Sequence, residues 1–411
     1  MRSAFQMRSA DRAAWAFGTV AWLAATQLAA PPASGQCRYE VTWVGPIQGP
    51  FGPSYGTPTG MNNRGQIVGY FVIGDAGERG FVWSQEDGLT LLPMPPGAYA
   101  VSPADINDAG QIIGTVNSAG WAFLWDPEDE EYVALGIPPG GNYSNAHAIN
   151  GQGQVVGVWG GGAGNPARAA FLWEDGVMTD LGPLLGTPNS AAADISEDGR
   201  VAGWMGQSAN TSAHAYVLDG STIFELGPIP GCATSGGEAI NELGDLCGQG
   251  ASLPEEPFRW CGFLWIDGAF FDIGPIGGNR HSKPTGIAAW RQVVGFSSNP
   301  HTAGYTWRDN VQTDLSTLVP EDHRVGVVAG IDRYGRIAAS VHAPPLGRGA
   351  ALLTPITTPA DLNIDCRVDL QDLLLLLLDF GCAGGDCEGD VNQDGQTSVP
   401  DLAIVLTNWS P

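Results

Sequence analysis

Met61-Asn62-Asn63-Arg64-Gly65-Gln66-Ile67-Val68-Gly69 reads as a short apolar-Asn turn that leads into Gly-Gln and a β-branched run. The phrase returns as Ile106-Asn107-Asp108-Ala109-Gly110-Gln111-Ile112-Ile113-Gly114, and again as Ile149-Asn150 leading to Gln154-Val155-Val156-Gly157. Weaker copies start at Ile195, Ile240, Ile287 and Ile331, so the steps from Met61 are 45, 43, 46, 45, 47 and 44 residues. So regular a period in glycine-rich, β-branched sequence predicts a repeat architecture.

The other half of the unit is an aromatic strand, a tight turn, and a strand that ends in Gly-Pro. Phe171-Leu172-Trp173-Glu174-Asp175-Gly176 runs into Asp180-Leu181-Gly182-Pro183. Tyr216-Val217-Leu218-Asp219-Gly220 and Phe263-Leu264-Trp265-Ile266-Asp267-Gly268 run into equivalent ends at Gly227-Pro228 and Gly274-Pro275. Asp-Gly between two such runs predicts a hairpin with φ > 0 at both turn positions. The Pro that follows cannot donate to a ladder and stops the strand. Four short strands and no helical period match one propeller blade. The seventh unit reaches Ala350-Ala351-Leu352-Leu353 and stops one strand short. Thr42-Trp43-Val44-Gly45-Pro46-Ile47-Gln48-Gly49 resembles Phe224-Glu225-Leu226-Gly227-Pro228-Ile229-Pro230-Gly231, which puts the missing strand at the N-terminal end. A ring closed by that strand explains the order, whereas an open solenoid needs distinct caps. The expectation is an all-β, seven-bladed β-propeller over residues 36–353; an eight-bladed ring or a non-closed array fits the same period.

The body resembles the HAF-repeat family of extracellular proteins, named for a His-Ala-Phe strand. His214-Ala215-Tyr216 is the nearest copy, with Ala170-Phe171-Leu172-Trp173 and Ala122-Phe123-Leu124-Trp125 as variants, and the resemblance covers about residues 58–354. It brings no activity with it. Trp83, Trp125, Trp173, Trp265 and Trp307 recur at one repeat position, which points to packing between blades rather than to a ligand platform. Trp159, Trp204, Trp260 and Trp290 leave that register and are the better surface candidates. No His shows metal spacing and His-Glu-x-x-His does not occur, so no catalytic residue is assigned. A carboxylate pair meeting across a central channel is the remaining route to acid/base chemistry.

The first 35 residues read as an export signal: Arg2, Arg8 and Arg12, an apolar stretch from Ala13 to Ala30, and the small-residue run Ala33-Ser34-Gly35. With 43 acidic against 18 basic residues the net charge is −25, which opposes binding to nucleic acid or anionic lipid. No later stretch approaches the ~20 apolar residues of a membrane span. Export permits disulfides, and the seven Cys include two odd clusters, Cys232/Cys247/Cys261 and Cys366/Cys382/Cys387. At least one thiol of each cluster is therefore free or pairs elsewhere.

Two further stretches repeat each other: Asp361-Leu362-Asn363-Ile364-Asp365-Cys366-Arg367-Val368-Asp369-Leu370-Gln371-Asp372 and Asp390-Val391-Asn392-Gln393-Asp394-Gly395-Gln396-Thr397-Ser398-Val399-Pro400-Asp401. Side-chain oxygens at loop positions 1, 3, 5, 9 and 12 have the spacing that surrounds a hard cation. A helix-competent run follows each loop, and residues 354–360 read as a Pro/Thr linker. The unit 361–411 carries ten acidic residues and one Arg, a charge that two cations would neutralise. It resembles a type I dockerin, the calcium module that joins exported proteins to cohesin-bearing partners. That resemblance implies two Ca²⁺. One is held by Asp361, Asn363, Asp365, Asp369, Asp372 and the Arg367 carbonyl, the other by Asp390, Asn392, Asp394, Ser398, Asp401 and the Gln396 carbonyl. Cys366 replaces the usual turn Gly, and a bond from Cys366 to Cys382 or Cys387 is expected to offset the strain.

The chain thus reads as an exported, extracellular, cell-surface or periplasmic, non-enzymatic binding or scaffold protein. Its expected partner is a cohesin-like or other cell-surface protein, or a polysaccharide. The alternative is an extracellular polysaccharide-degrading enzyme, a glycoside hydrolase or lyase, carrying such a module.

Overall fold

The structure is a computed structural model. It describes residues 37–49, 52–73, 77–117, 120–161, 168–187, 189–206, 213–363, 368–384, 387, 389–392 and 395–409. The expected signal segment and the expected ligands Asp365, Arg367 and Asp394 lie outside the described residues, as does Cys366.

Strands dominate, as the repeat predicted. Six four-stranded antiparallel units follow one another at 57–91, 101–134, 143–180, 189–227, 236–273 and 281–314. Units 3 and 4 are also joined by one parallel pair, Arg168 with Asn189. A seventh four-stranded sheet holds Arg324–Ile331, Ile337–Ala343 and Gly347–Pro355, with the N-terminal strand Tyr39–Trp43 on its outer edge. Thr42 stands opposite Leu352, so the displaced strand pairs where the phrase around Trp43 said it would. No single sheet closes on itself among the described residues. The last strand runs to Pro355, whose partner is Tyr39; the expected linker therefore gives up Thr354 and Pro355 to the sheet.

The repeated turn explains itself. Asn62 Oδ1 accepts from the backbone N–H groups of Arg64 (3.1 Å) and Gln66 (3.0 Å), and Gly65 takes φ +76°, which only Gly adopts without strain. At the hairpins Asp175-Gly176 and Asp267-Gly268 both residues have positive φ, as Asp-Gly demands. Asp219-Gly220 departs from this. Asp219 pairs with Thr222, so its loop is Gly220-Ser221, with Gly leading.

Each pair of neighbouring units shares one hydrophobic cluster. Leu124 and Phe171 bring units 2 and 3 together, Val217 and Phe263 units 4 and 5. Trp83 and Phe81 of unit 1 pack with Ala338, Ala350 and Leu352 of unit 7. Trp125, Trp173, Trp265 and Trp307 sit in or against four further inter-unit clusters, so the in-register Trp residues are packing groups. Residues 360–405 have a cluster of their own, Ala360, Val368, Leu376, Val391 and Val405. It lies between two helices, Leu370–Leu378 and Val399–Thr407.

Candidate functional site

The first strand of every unit lies against the first strand of the next, and Arg324–Ile331 likewise lies against Thr57–Met61. The seven first strands therefore contact one another in turn. Each carries a β-bulge at the same place, which leaves one extra residue: Thr59, Ala104, His147, Ala193, Glu238, Thr285 and Ala329. Bulges re-aim side chains and leave backbone groups unpaired. Here the unpaired groups are served by the neighbouring unit. Thr59 Oγ1 donates to Pro103 O at 3.0 Å, and Thr285 Oγ1 to Val328 O at 3.0 Å. His147 Nδ1 lies 2.7 Å from Ala192 O, and since a carbonyl only accepts, Nδ1 carries the proton. At two of the three Ala bulges, Ala104 and Ala193, the next residue is an Asp that substitutes. Asp105 Oδ2 accepts from Ile149 N (3.2 Å) and Asp194 Oδ2 from Ile240 N (2.8 Å). Glu238 instead pairs with Lys283 at 3.3 Å.

These groups titrate unusually. Burial pushes Asp105 up to about 7, with the charge of Asp194 adding to the effect against two backbone hydrogen bonds. Burial raises Asp194 to about 6. His147 is held below its ordinary value by burial, so it is the neutral Nδ1–H tautomer with Nε2 as a lone-pair acceptor. All three side chains are half-buried. The first strands thus carry one neutral imidazole and two carboxyl groups that change protonation near neutral pH. Sequence reasoning missed this set, because the bulged position carries no recurring residue type; only the backbone register marks it.

The two C-terminal loops are organised alike. Asp372 Oδ1 accepts from Leu362 N (2.7 Å) and Asn363 N (3.2 Å), and its Oδ2 from Asp369 N (2.8 Å). Asp401 Oδ1 accepts from Asn392 N (3.0 Å), and its Oδ2 from Ser398 N (2.9 Å). Asp372 and Asp401 are fully buried. The position-12 carboxylate thus gathers positions 3 and 9 in both loops. Asp369 and Ser398 are also the N-caps of the two helices, in capping boxes with Asp372 and Asp401, a role signalled by the Asp/Ser-x-x-Asp spacing. Asp390 Oδ2 accepts from Gly395 N at 2.7 Å, and Gln396 bridges to Ala383. Asp361 and Asn363 are buried in the first loop.

Cys382 is bonded to Cys387, which corrects the expected bridge from Cys366 to either of them. The pair lies five positions apart, so the connector between the first helix and the second loop is closed on itself. Asp379 lies beside these sulfurs, but a disulfide has no thiolate to offer a metal, and the trio is not a metal centre. Cys232 pairs with Cys261, and buried Cys247 is the odd thiol of that cluster. These bonds fit an oxidising compartment. No helix among the described residues is long and apolar enough to cross a membrane.

No protein-family profile and no curated sequence matches the chain. Among solved structures it is similar to a Mycobacterium tuberculosis puromycin-hydrolyzing peptidase, with a TM-score of 0.49 and 12% identity over 78% of this chain and 52% of that one. An oligogalacturonate lyase from Vibrio parahaemolyticus gives a TM-score of 0.48 and 8% identity over 78% of this chain and 98% of the lyase. A virginiamycin B lyase from Staphylococcus aureus gives 0.46 and 13% over 77% of this chain and all (100%) of the lyase. The chain spans about half the length of the first peptidases it matches. At these identities and TM-scores neither reaction nor substrate passes from those proteins to this chain.

Proposed function

We propose that the seven units are the blades of a closed seven-bladed β-propeller. On that reading the chain is an exported, non-enzymatic binding protein. The propeller is its interaction platform, and residues 361–411 form a dockerin-like, calcium-dependent module that attaches it to a cell-surface partner, cohesin-like or other. The pairing of Tyr39–Trp43 with the last unit supports closure, as does the cluster shared by units 7 and 1.

The observation that carries the attachment reading is the doubled loop. Asp372 and Asp401 order their two loops through the same backbone donors, and the remaining donors are hard oxygens suited to calcium. Asp361, Asn363, Asp369 and Asp372 would hold one ion. Asp390, Asn392, Ser398 and Asp401 would hold the other, with Asp365, Asp394 and the Arg367 and Gln396 carbonyls completing the sets. Bound Ca²⁺ supplies the charge that ten acidic residues and one Arg lack, and so stabilises the module. Isothermal titration of the full chain should show about two Ca²⁺ per chain, falling to one with Asp401→Ala. A chain that takes up no calcium ends the reading.

A second reading, an extracellular polysaccharide-degrading enzyme, is favoured by these first-strand groups alone. Neutral His147 offers a free Nε2, and Asp105 and Asp194 exchange protons near neutral pH. Against it, all three side chains already bond the neighbouring unit's backbone, as Thr59 and Thr285 do. Turnover of a glycan panel that His147→Gln abolishes would establish this second reading over the first.

A further inference from the structure

Trp260, one of the tryptophans outside the repeat register, belongs to a three-ring cluster at the seam of units 5 and 6. Its ring lies 5.2 Å from Phe258, nearly perpendicular at 77°, and 6.5 Å from His281. Phe258 and His281 are 5.8 Å apart. Phe258 is 57% exposed, while Trp260 and His281 are half-buried beneath it. An aromatic ring so exposed in a loop is normally mobile, but this loop is tied at its base. Ser252 N donates to Arg259 O (3.0 Å), Arg259 N to Ser252 Oγ (3.2 Å), and the disulfide at Cys261 adjoins Trp260. Within unit 6, Arg280 N donates to Asn299 O at 2.9 Å, which ties the loops at either end of its first two strands together.

The hydrogen bonds set the polar rim. Trp260 N–H donates to His281 Nδ1 at 3.0 Å, so Nδ1 is an acceptor and the proton sits on Nε2. Burial, and then the charge of Arg280, hold His281 below its ordinary value, in keeping with a neutral ring. Asn299 Nδ2 stands 3.3 Å from Nε2; since two N–H donors cannot bond each other, the amide is assigned with its Oδ1 and Nδ2 exchanged, so that Oδ1 accepts from Nε2. Arg280 is exposed and makes no ion pair among the described residues.

We propose that Phe258, Trp260, His281, Asn299 and Arg280 form a subsite for an acidic saccharide. A sugar ring has an apolar C–H face that stacks on an exposed aromatic and an edge of hydroxyls for planar polar groups. A carboxylate on that ring is the complement of Arg280, with bidentate geometry. Pre-organisation of the cluster lowers the entropy lost on binding. The subsite deepens the binding-platform reading by naming the class of ligand.

The test is titration calorimetry of the calcium-loaded full chain against a hexameric oligogalacturonide and against cellohexaose. The oligogalacturonide should bind in the micromolar-to-millimolar range, with affinity that falls as salt rises. Phe258→Ala, at an exposed position that leaves the fold intact, should weaken it by about tenfold or more. Arg280→Ala should reduce the acidic probe to the level of cellohexaose. Absence of binding by either probe, unchanged affinity in Phe258→Ala, or equal affinity for both probes would each overturn the proposal. Calcium uptake in the same samples separates the outcomes: a chain that loads two ions but ignores both probes loses the subsite and keeps the attachment module.

Discussion

Gly157 shows how much one residue carries. A Cβ there would stand 2.0 Å from Asn145 O and 2.9 Å from the Phe171 ring. The Gly of Gln-Val-Val-Gly therefore exists because the first strand, at its bulge, brings a carbonyl over the second. Gly157→Ala should cost about 3 kcal/mol or more, since backbone rather than a flexible side chain must move; chemical denaturation measures it. The period of that Gly was legible in the sequence, whereas its cause was not, because the bulge is a property of register and its residues run Thr, Ala, His, Ala, Glu, Thr, Ala. The carboxyl groups beside the bulges make a pH prediction. Asp105 has a folded value of about 7 against an ordinary 3.8. Between those values the folded chain keeps a proton that the unfolded chain has lost, so stability falls as pH rises through the window and levels off above it. Asp105→Asn can still accept from Ile149 N. It should match the wild type near pH 4 and exceed it by about 1 kcal/mol at pH 8, the shift being discounted for the partial exposure of the side chain. Parallel pH–stability curves for the two proteins would refute this.

The turn is the element on which the repeat depends, and its Asn does more than close it. Asn62 Nδ2 donates to Asn107 O, Asn107 Nδ2 to Asn150 O, and Asn150 Nδ2 to Ser196 O, at 2.9, 3.0 and 3.2 Å. Each turn thus hangs on the next. At Ser196 and Asp332 an Arg four residues on replaces the Asn: Arg200 reaches Glu242 O, and Arg336 reaches Asn63 O across the seam of units 7 and 1. Asn150→Ala removes a buried side chain that accepts from Gln152 N and Gln154 N and donates to unit 4. We expect a loss of about 2–4 kcal/mol, while Asn150→Ser, which keeps one acceptor as Ser196 does, should lose about half as much. Equal losses in the two variants would mean that the link between turns, which both variants lack, rather than the turn, is what matters. The Asn period was plain in the sequence. Its partner was hidden, because a hydrogen bond 43 to 47 residues long leaves no local trace.

Across the whole molecule, the order of strands was readable because the phrase around Trp43 repeats the end of a middle unit. The joint with the C-terminal module was less so. Thr354 and Pro355 look like linker, but Pro is tolerated as the last residue of a strand, and Tyr39 stands opposite it. Beyond that joint Arg308 Nη1 donates to Asn363 O at 3.4 Å, so the first Asp-rich loop touches unit 6. Closure by the N-terminal strand makes a separate prediction. Val41 pairs with Leu353 and packs against the cluster shared by units 6 and 7. In a closed ring each unit depends on both neighbours, so damage at the seam weakens all seven together. Val41→Pro disrupts the outer ladder of unit 7 and should lower the unfolding free energy of the body by about 3 kcal/mol in one cooperative transition. An open array would instead lose only its terminal unit, and scanning calorimetry would then show an early, small transition with the main one unmoved.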